Sequence, residues 1–514
     1  MTRRGLILGL AASAGSAPAF AAMRALELGG PGVPPAPVQL ARRPARPGVR
    51  VAVVGAGMAG LISAYELTRL GYDVTLYEAA ARVGGRNLTL RDGDELKLDD
   101  GSSQTVRFGS AQYFNAGPAR LASGHRHMLG YCRDFGIPLE VMVHASRSAR
   151  YRGAAVDGGK PVQMRQVVND ARGMVSEWLA KSLNQGALDA ELAPDDRGRL
   201  REFLRTYGDL APDGRYQGSL RSGFAVPPKL GDTDWKPRDP LGMQAFLDPA
   251  IWRAVLDDDQ ILYQATMLQP VGGMDRIADA LTERLPGVIH TGHALKSLRL
   301  GAGGVDLVFD TAAGEQRVHA DFAIAAIPLP ALAGVDSNLD AGFQRDLRKV
   351  RYQPACKVAW RSPRFWEEEG IYGGMSYLDQ DTQLVWYPSA GFHQAEGVLV
   401  ACYNDGETAA RYTARPLAQQ YADSRRAVEL LHPGQSQKLA DPLAIAWQKV
   451  PHAHGAWVGW DEQSLGIYPT LSRPQGNLYI AGDQVSYLPG WQEGAALSAL
   501  DAVNGIAAHA SQAA

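Results

Sequence analysis

The residues with the clearest chemical potential lie at Gly55-Ala56-Gly57-Met58-Ala59-Gly60. Glycines at the first, third and sixth places permit a tight turn, a close backbone approach to a pyrophosphate, and close helix–strand packing. Roughly 20 positions further on stands Glu78, whose carboxylate can accept hydrogen bonds from ribose hydroxyls. Together these parts describe a dinucleotide site. Other chemistries lack their components. The pairs His125/His127 and His452/His454 have no third ligand at metal spacing, so no metal site is expected. No Gly-x-Ser-x-Gly elbow is present for acyl transfer. The three cysteines, Cys132, Cys356 and Cys402, form no Cys-x-x-Cys pair for zinc or dithiol exchange.

A phosphate-binding glycine run works only between a buried strand and a helix. Val51-Ala52-Val53-Val54 is a continuous apolar run, the pattern of a parallel strand covered on both faces. Leu61, Ala64, Leu67 and Leu70 follow at helical spacing, and Gly71 stops the helix. Val74-Thr75-Leu76-Tyr77 then gives a second strand that ends at Glu78, completing a βαβ unit. The segment 320–328 is another buried, parallel-type strand, and 476–483 reads as a strand ending in Ala481-Gly482-Asp483. Helices are expected over 275–285 and 494–506, with a strand over 293–298. Residues 151–262 carry helical periodicity and more charge.

At 514 residues the chain has room for about three domains of ~150 residues each. Its 46% hydrophobic and 21% charged fractions are ordinary for a soluble globular protein. A net charge of −2 gives no reason to expect nucleic acid as a partner. The N-terminus begins Met1-Thr2-Arg3-Arg4, continues with a small apolar run to about Ala14, and offers Ala19-Phe20-Ala21 as a cleavage site. That order is a secretory signal, and Arg3-Arg4 resembles a twin-arginine start, which exports cargo already folded. The chain is therefore expected to be periplasmic or secreted. Residues 23–49, rich in proline and arginine, read as an extended linker. No segment is long and apolar enough to span a bilayer.

Several further motifs resemble the flavin amine oxidase family, and most closely its bacterial L-amino acid oxidases. Arg82-Val83-Gly84-Gly85-Arg86 is similar to the family's second flavin signature. Gly482-Asp483 followed by Gly490-Trp491 resembles its C-terminal one. The resemblance implies FAD, held by Gly55, Ala56, Gly57, Met58, Ala59, Gly60, Glu78, Ala79, Arg82, Gly85, Arg86, Gly117, Ala119, Arg120, Leu295, Gly482, Asp483, Trp491 and Gln492. No cysteine lies near the C-terminal motif, so the FAD is expected to be non-covalent. The fold implied is α/β: a discontinuous Rossmann-like FAD domain of the glutathione-reductase type from 50–88, 266–336 and 474–514. A mixed-sheet substrate domain would take 89–150 and 337–473, and a helical domain 151–265, after a signal peptide over 1–22 and a linker over 23–49.

Ala116-Gly117-Pro118-Ala119-Arg120-Leu121 resembles the Gly-x-x-Arg-Ile-Pro stretch of L-amino acid oxidases, with Ala122 in place of proline. By that resemblance Arg120 binds the substrate carboxylate, and a guanidinium fork suits such a task. Residues 352–374 are similar too and make Lys357 the lysine that holds a water against the flavin. In Val385-Trp386-Tyr387-Pro388, Tyr387 is expected to give the second carboxylate contact; alternation along a strand sends Trp386 to the other face. Gly490 and Trp491 fall where the family places an aromatic beside the flavin. Trp447, Trp457 and Trp460 have no assigned role. The implied reaction is oxidative deamination of an L-amino acid, with oxygen as acceptor and a 2-oxo acid, ammonia and hydrogen peroxide as products. A homodimer is expected. Amine oxidation and amide-forming monooxygenation remain open within the family, and a non-catalytic flavin-binding protein outside it.

Overall fold

The computed structural model describes residues 40, 48–186, 188, 192–461 and 464–512. The signal peptide and nearly all of the expected linker lie outside these residues. The first sheet has five parallel strands in the order Ile289–Thr291, Asp73–Glu78, Arg50–Val54, Phe322–Ala325 and Leu478–Ile480. Its strands thus come from three separate stretches of chain. The reason for the unbroken apolar run in Arg50–Val54 is visible in its neighbours. Val51 and Val53 pack with Leu61, Ile62 and Leu67 of the helix Met58–Arg69, and with Ala496, Val503 and Ile506 of the C-terminal helix Gln492–Gln512. Ala52 and Val54 face the opposite way, toward Leu298, Leu307 and Phe309 of a four-stranded sheet. Both faces are dry, so neither could be polar.

The helix Met58–Arg69 starts where the glycines allow it. Gly55 has φ +100°, and a Cβ on Gly60 would lie 1.8 Å from the Gly55 carbonyl oxygen. Only glycine fits at either place.

The second large sheet has seven strands in the order Val162–Gln163, Arg150–Arg152, Gly374–Leu378, Leu384–Tyr387, Glu396–Asp405, Ala355–Pro363 and Ala440–Ala446. It is mixed: Gly374–Leu378 runs parallel to Arg150–Arg152, and the other pairings are antiparallel. Two of its strands lie within the stretch expected to open the helical region, which instead begins with the helix Met164–Asn184. That helix packs with Pro194–Gly208 around Leu183, Leu204, Leu210 and Tyr216. Among the described residues no helix is long and apolar enough to cross a membrane, and no cluster of metal-ligating groups occurs.

Candidate active site

A cavity of about 340 Å³ runs from the first glycine turn to the edge of the mixed sheet. At its nucleotide end, Glu78 lies at the C-terminus of its strand and accepts hydrogen bonds from Ala56 N (2.6 Å) and Ala80 N (2.8 Å). The second glycine pair packs directly on the first: a Cβ on Gly85 would stand 3.1 Å from Gly57 Cα. Arg86 forks onto Asp483 and also donates to Ala456 O at 2.6 Å. Asp483 further accepts from Gly490 N at 2.8 Å. Two motifs nearly 400 positions apart in sequence are thus joined by one ion pair. Met58, Ala59, Ala79, Arg82, Gly117, Ala119, Leu295, Gly482, Gly490, Trp491 and Gln492 also line the cavity.

The other end is aromatic and cationic. Arg120 follows the strand Tyr113–Asn115 on a loop, and its guanidinium carbon stands 4.5 Å from the Tyr263 ring, 5.0 Å from Trp386 and 5.7 Å from Trp491. Its Nη1 donates to His144 Nδ1 at 3.1 Å, and no carboxylate among the described residues pairs with it. Lys357 sits mid-strand in Ala355–Pro363, opposite Tyr403, and is 5% exposed. Its Nζ donates to the carbonyls of Asn115 (2.8 Å) and Gly117 (2.5 Å). Burial, with a further push from the Arg120 charge, lowers its pKa to about 7.

Tyr387 requires a correction. It is fully buried on the face of the sheet away from Arg120, and its hydroxyl is engaged by Ser376 Oγ (2.7 Å) and His432 Nε2 (2.5 Å). Its neighbour Trp386 is the residue that meets Arg120 and, at 5.6 Å, Lys357. Trp386 and Tyr387 do alternate along the strand, and it is the tyrosine that takes the face away from Arg120. Tyr263, Tyr403, His144 and Asp257 also belong to this end, outside every sequence motif. Asp257 and Tyr263 lie in the turn and loop after the helix Pro249–Leu256, and Tyr403 reaches Lys357 only through strand pairing, so no local pattern marks them. Of the unassigned tryptophans, Trp447 donates from Nε1 to Ala116 O (3.0 Å) and lines the cavity, as does Trp457 beside Gly490. Trp460 instead donates to Gln484 O at 3.2 Å and sits in the core.

Comparison with known proteins agrees with this layout. The profile described as "Flavin containing amine oxidoreductase" matches residues 58–507. The chain belongs to this family. It is 26% identical to the flavin-dependent L-tryptophan oxidase of Lentzea aerocolonigenes, over 89% of this chain and 98% of that protein. It is also 26% identical to the L-amino-acid oxidase of Pseudechis australis, covering 89% and 86% respectively. Among solved structures, cyclohexylamine oxidase from Brevibacterium oxydans superposes with a TM-score of 0.60 at 16% identity, covering 90% of this chain and 99% of that one. Putrescine oxidase bound to putrescine gives 0.58 at 18%, covering 90% and 98%. At such identities these two speak for the fold alone.

The cofactor of this flavin amine oxidoreductase is FAD, and the cavity suits it. A Cβ on Gly57 would meet nothing within 4 Å, so the backbone there is bare toward a ligand. Gln492 Nε2 and Asn87 Oδ1 are buried without partners among the described residues, and both side chains line the cavity. One donor and one acceptor left in this way match the polar edge of a flavin ring.

Proposed function

We propose that this chain oxidatively deaminates L-amino acids, with a preference for bulky apolar and aromatic side chains. The observation that carries this reading is the Arg120 guanidinium: half-buried, caged by aromatic rings, and without an anionic partner among the described residues. Such a cation gains most from a planar carboxylate that can take two of its donors. Tyr263, Trp386, Tyr403 and Trp491 then supply an apolar wall for the substrate side chain and keep water from it. Among the described residues, the only acidic ones on the cavity wall, Glu78 and Asp483, are both held at the nucleotide end. A cationic substrate side chain therefore finds no counter-charge beside Arg120. The names of the relatives support the same substrate class.

The fingerprint glycines, Glu78, Arg86, Leu295, Asp483 and Gln492 would hold FAD, which when bound would accept a hydride, the electron pair of the substrate's Cα–H bond, as the Cα–N bond becomes C=N. Arg120 fixes the carboxylate, and so sets which face of the α-carbon looks along the cavity. Lys357, anchored on two carbonyls, presents its remaining donor capacity to a water and can release or hold a proton near neutral pH. Oxygen serves as acceptor and hydrogen peroxide as product in this reading. The FAD is proposed to be non-covalent, the chain exported through its twin-arginine-like start, and the active form a homodimer.

The decisive experiment is a peroxide assay of the purified yellow protein with L-amino acids, D-amino acids and the corresponding amines, with product masses recorded. Peroxide and a 2-oxo acid from L-phenylalanine or L-tryptophan alone support the proposal. An amide product, or equal turnover of phenethylamine, would overturn it. Acid precipitation that releases the flavin, a dimeric mass in solution, and a mature protein lacking residues 1–22 would check the accompanying proposals.

A further inference from the structure

Arg120 poses an electrostatic problem. To receive a carboxylate it must be held in place, yet any acidic residue used to hold it would neutralise it and compete with the substrate. The structure contains a solution. Arg120 Nη1 donates to His144 Nδ1 at 3.1 Å, and the other ring nitrogen, Nε2, stands 2.9 Å from Asp257 Oδ2. An arginine can only donate, so Nδ1 must be the acceptor and the ring proton lies on Nε2, pointing to Asp257. Asp257 is fixed in turn by the Tyr377 hydroxyl at 2.8 Å. His144 and Asp257 are both buried.

We propose that His144 is the positioning residue for Arg120: a neutral imidazole that aims the guanidinium while keeping the Asp257 carboxylate one residue away from it. This rests on Arg120 being the carboxylate anchor, and it deepens that reading. The anchor is oriented by a hydrogen bond to an uncharged acceptor, so its full charge stays available to the substrate. Asp257 serves by fixing the imidazole tautomer, which must keep its lone pair toward Arg120.

The arrangement is sensitive to acid. A proton on Nδ1 would place two donors face to face and set two positive charges against each other. The groups facing His144 are Arg120 on its loop, Asp257 and Asp258 from the turn after the helix Pro249–Leu256, and the Tyr263 ring at 4.6 Å. Behind them stand Tyr377, which bonds Asp257, Arg253, whose charge reaches Asp257, and Arg147, which pairs with Asp258 at 3.4 Å. Burial, followed by the Arg120 charge, lowers the His144 pKa below its ordinary value against the pull of Asp257. The imidazole therefore stays neutral at neutral pH and fails as an acceptor only in acid.

The test is binding of benzoate, a carboxylate with no amine to oxidise, to the FAD-loaded enzyme, followed by flavin difference spectra or calorimetry from pH 5 to 8. Benzamide is the uncharged control. His144→Leu deletes both contacts and is expected to weaken benzoate about tenfold at pH 7.5, the loss of one bond to a charged group, with benzamide unchanged. His144→Asn keeps an acceptor near the Nδ1 position, so benzoate should bind within about threefold of wild type. Wild-type binding should weaken as pH falls below the ordinary imidazole range, and that acid limb should be absent in His144→Asn. Flavin content and thermal midpoint show whether each variant folds; if His144→Leu does not, the acid limb of wild type against His144→Asn decides. Wild-type affinity in His144→Leu, or an unchanged acid limb in His144→Asn, would overturn the role of His144 while leaving Arg120 intact. If wild type fails to prefer benzoate over benzamide, the carboxylate reading of Arg120 itself is lost.

Discussion

Replacing Arg120 by methionine removes the guanidinium while filling much of the volume between Tyr263, Trp386 and Trp491. The wild-type side chain spends one donor on His144 and has no acidic partner among the described residues. A substrate carboxylate would thus form two new charge-assisted bonds without displacing an existing ion pair. Each such bond contributes about 1.5–3 kcal/mol. Because the pair shares one cation, a combined loss of about 3–4 kcal/mol is the reasonable figure, or 10²–10³-fold in affinity. Arg120→Lys keeps a charge but loses the fork and the flat stacking surface, so about 10–50-fold is expected. The assay is anaerobic rapid mixing, with flavin bleaching by L-phenylalanine and the flavin difference spectrum on binding of phenethylamine compared in wild type and both variants. The amine lacks the carboxylate, so its apparent Kd should hardly move while that of phenylalanine rises. Equal losses for both compounds would mean that Arg120 shapes the cavity rather than binding the carboxylate.

Three further outcomes follow from the geometry. Tyr387→Phe should leave the KM for L-amino acids unchanged and lower stability by about 1–2 kcal/mol, because it leaves His432 and Ser376 without their buried partner; a large rise in KM would return Tyr387 to the substrate. Trp386→Ala should do the reverse, raising KM for aromatic substrates by 10-fold or more through loss of ring contact with substrate and with Arg120. Glu78→Gln should weaken FAD, measured by dialysis and fluorescence of the released flavin, by about 10-fold, since a carboxylate accepts from ribose hydroxyls more strongly than an amide; unchanged retention would place the ribose elsewhere.

What could be read from the sequence was local. Gly55, Gly57 and Gly60 between an apolar run and a periodic helix is a pattern whose parts lie within a few residues, and each part has a steric reason that the structure displays. The strand ending at Asp483 was legible for the same reason, although its ion pair with Arg86 was not, because nothing in either motif names the other as partner. The substrate end is a different case. Its residues arrive from the loop at Arg120, the turn at Asp257, the segment at Tyr263 and three strands of the mixed sheet. Which of Trp386 and Tyr387 faces the cavity depends on which side of that sheet the flavin domain covers, and alternation alone gives two answers. Tyr387 shows the consequence: the position toward the cavity takes the Trp386 ring, and the tyrosine hydroxyl on the other face holds His432.

Arg120 and Lys357 share one cavity, both cationic when protonated and neither paired with a carboxylate among the described residues. Burial and the Arg120 charge bring Lys357 to a pKa of about 7. At pH 8 it is therefore mostly neutral in the ligand-free site. A carboxylate that settles on Arg120 offsets the repulsion, which raises the Lys357 pKa and draws in a proton. The sign is fixed: binding takes up protons above pH 7, and the uptake vanishes below about pH 6, where Lys357 is already charged. Affinity for benzoate should accordingly fall as pH rises through 7, opposite in sense to the acid limb from His144. Calorimetry in buffers of differing ionisation enthalpy measures the uptake directly. Lys357→Met should bind benzoate with no buffer dependence at pH 8. If wild type shows none either, Lys357 does not sense the carboxylate, and its two carbonyl contacts serve only to join its strand to the loop that carries Arg120.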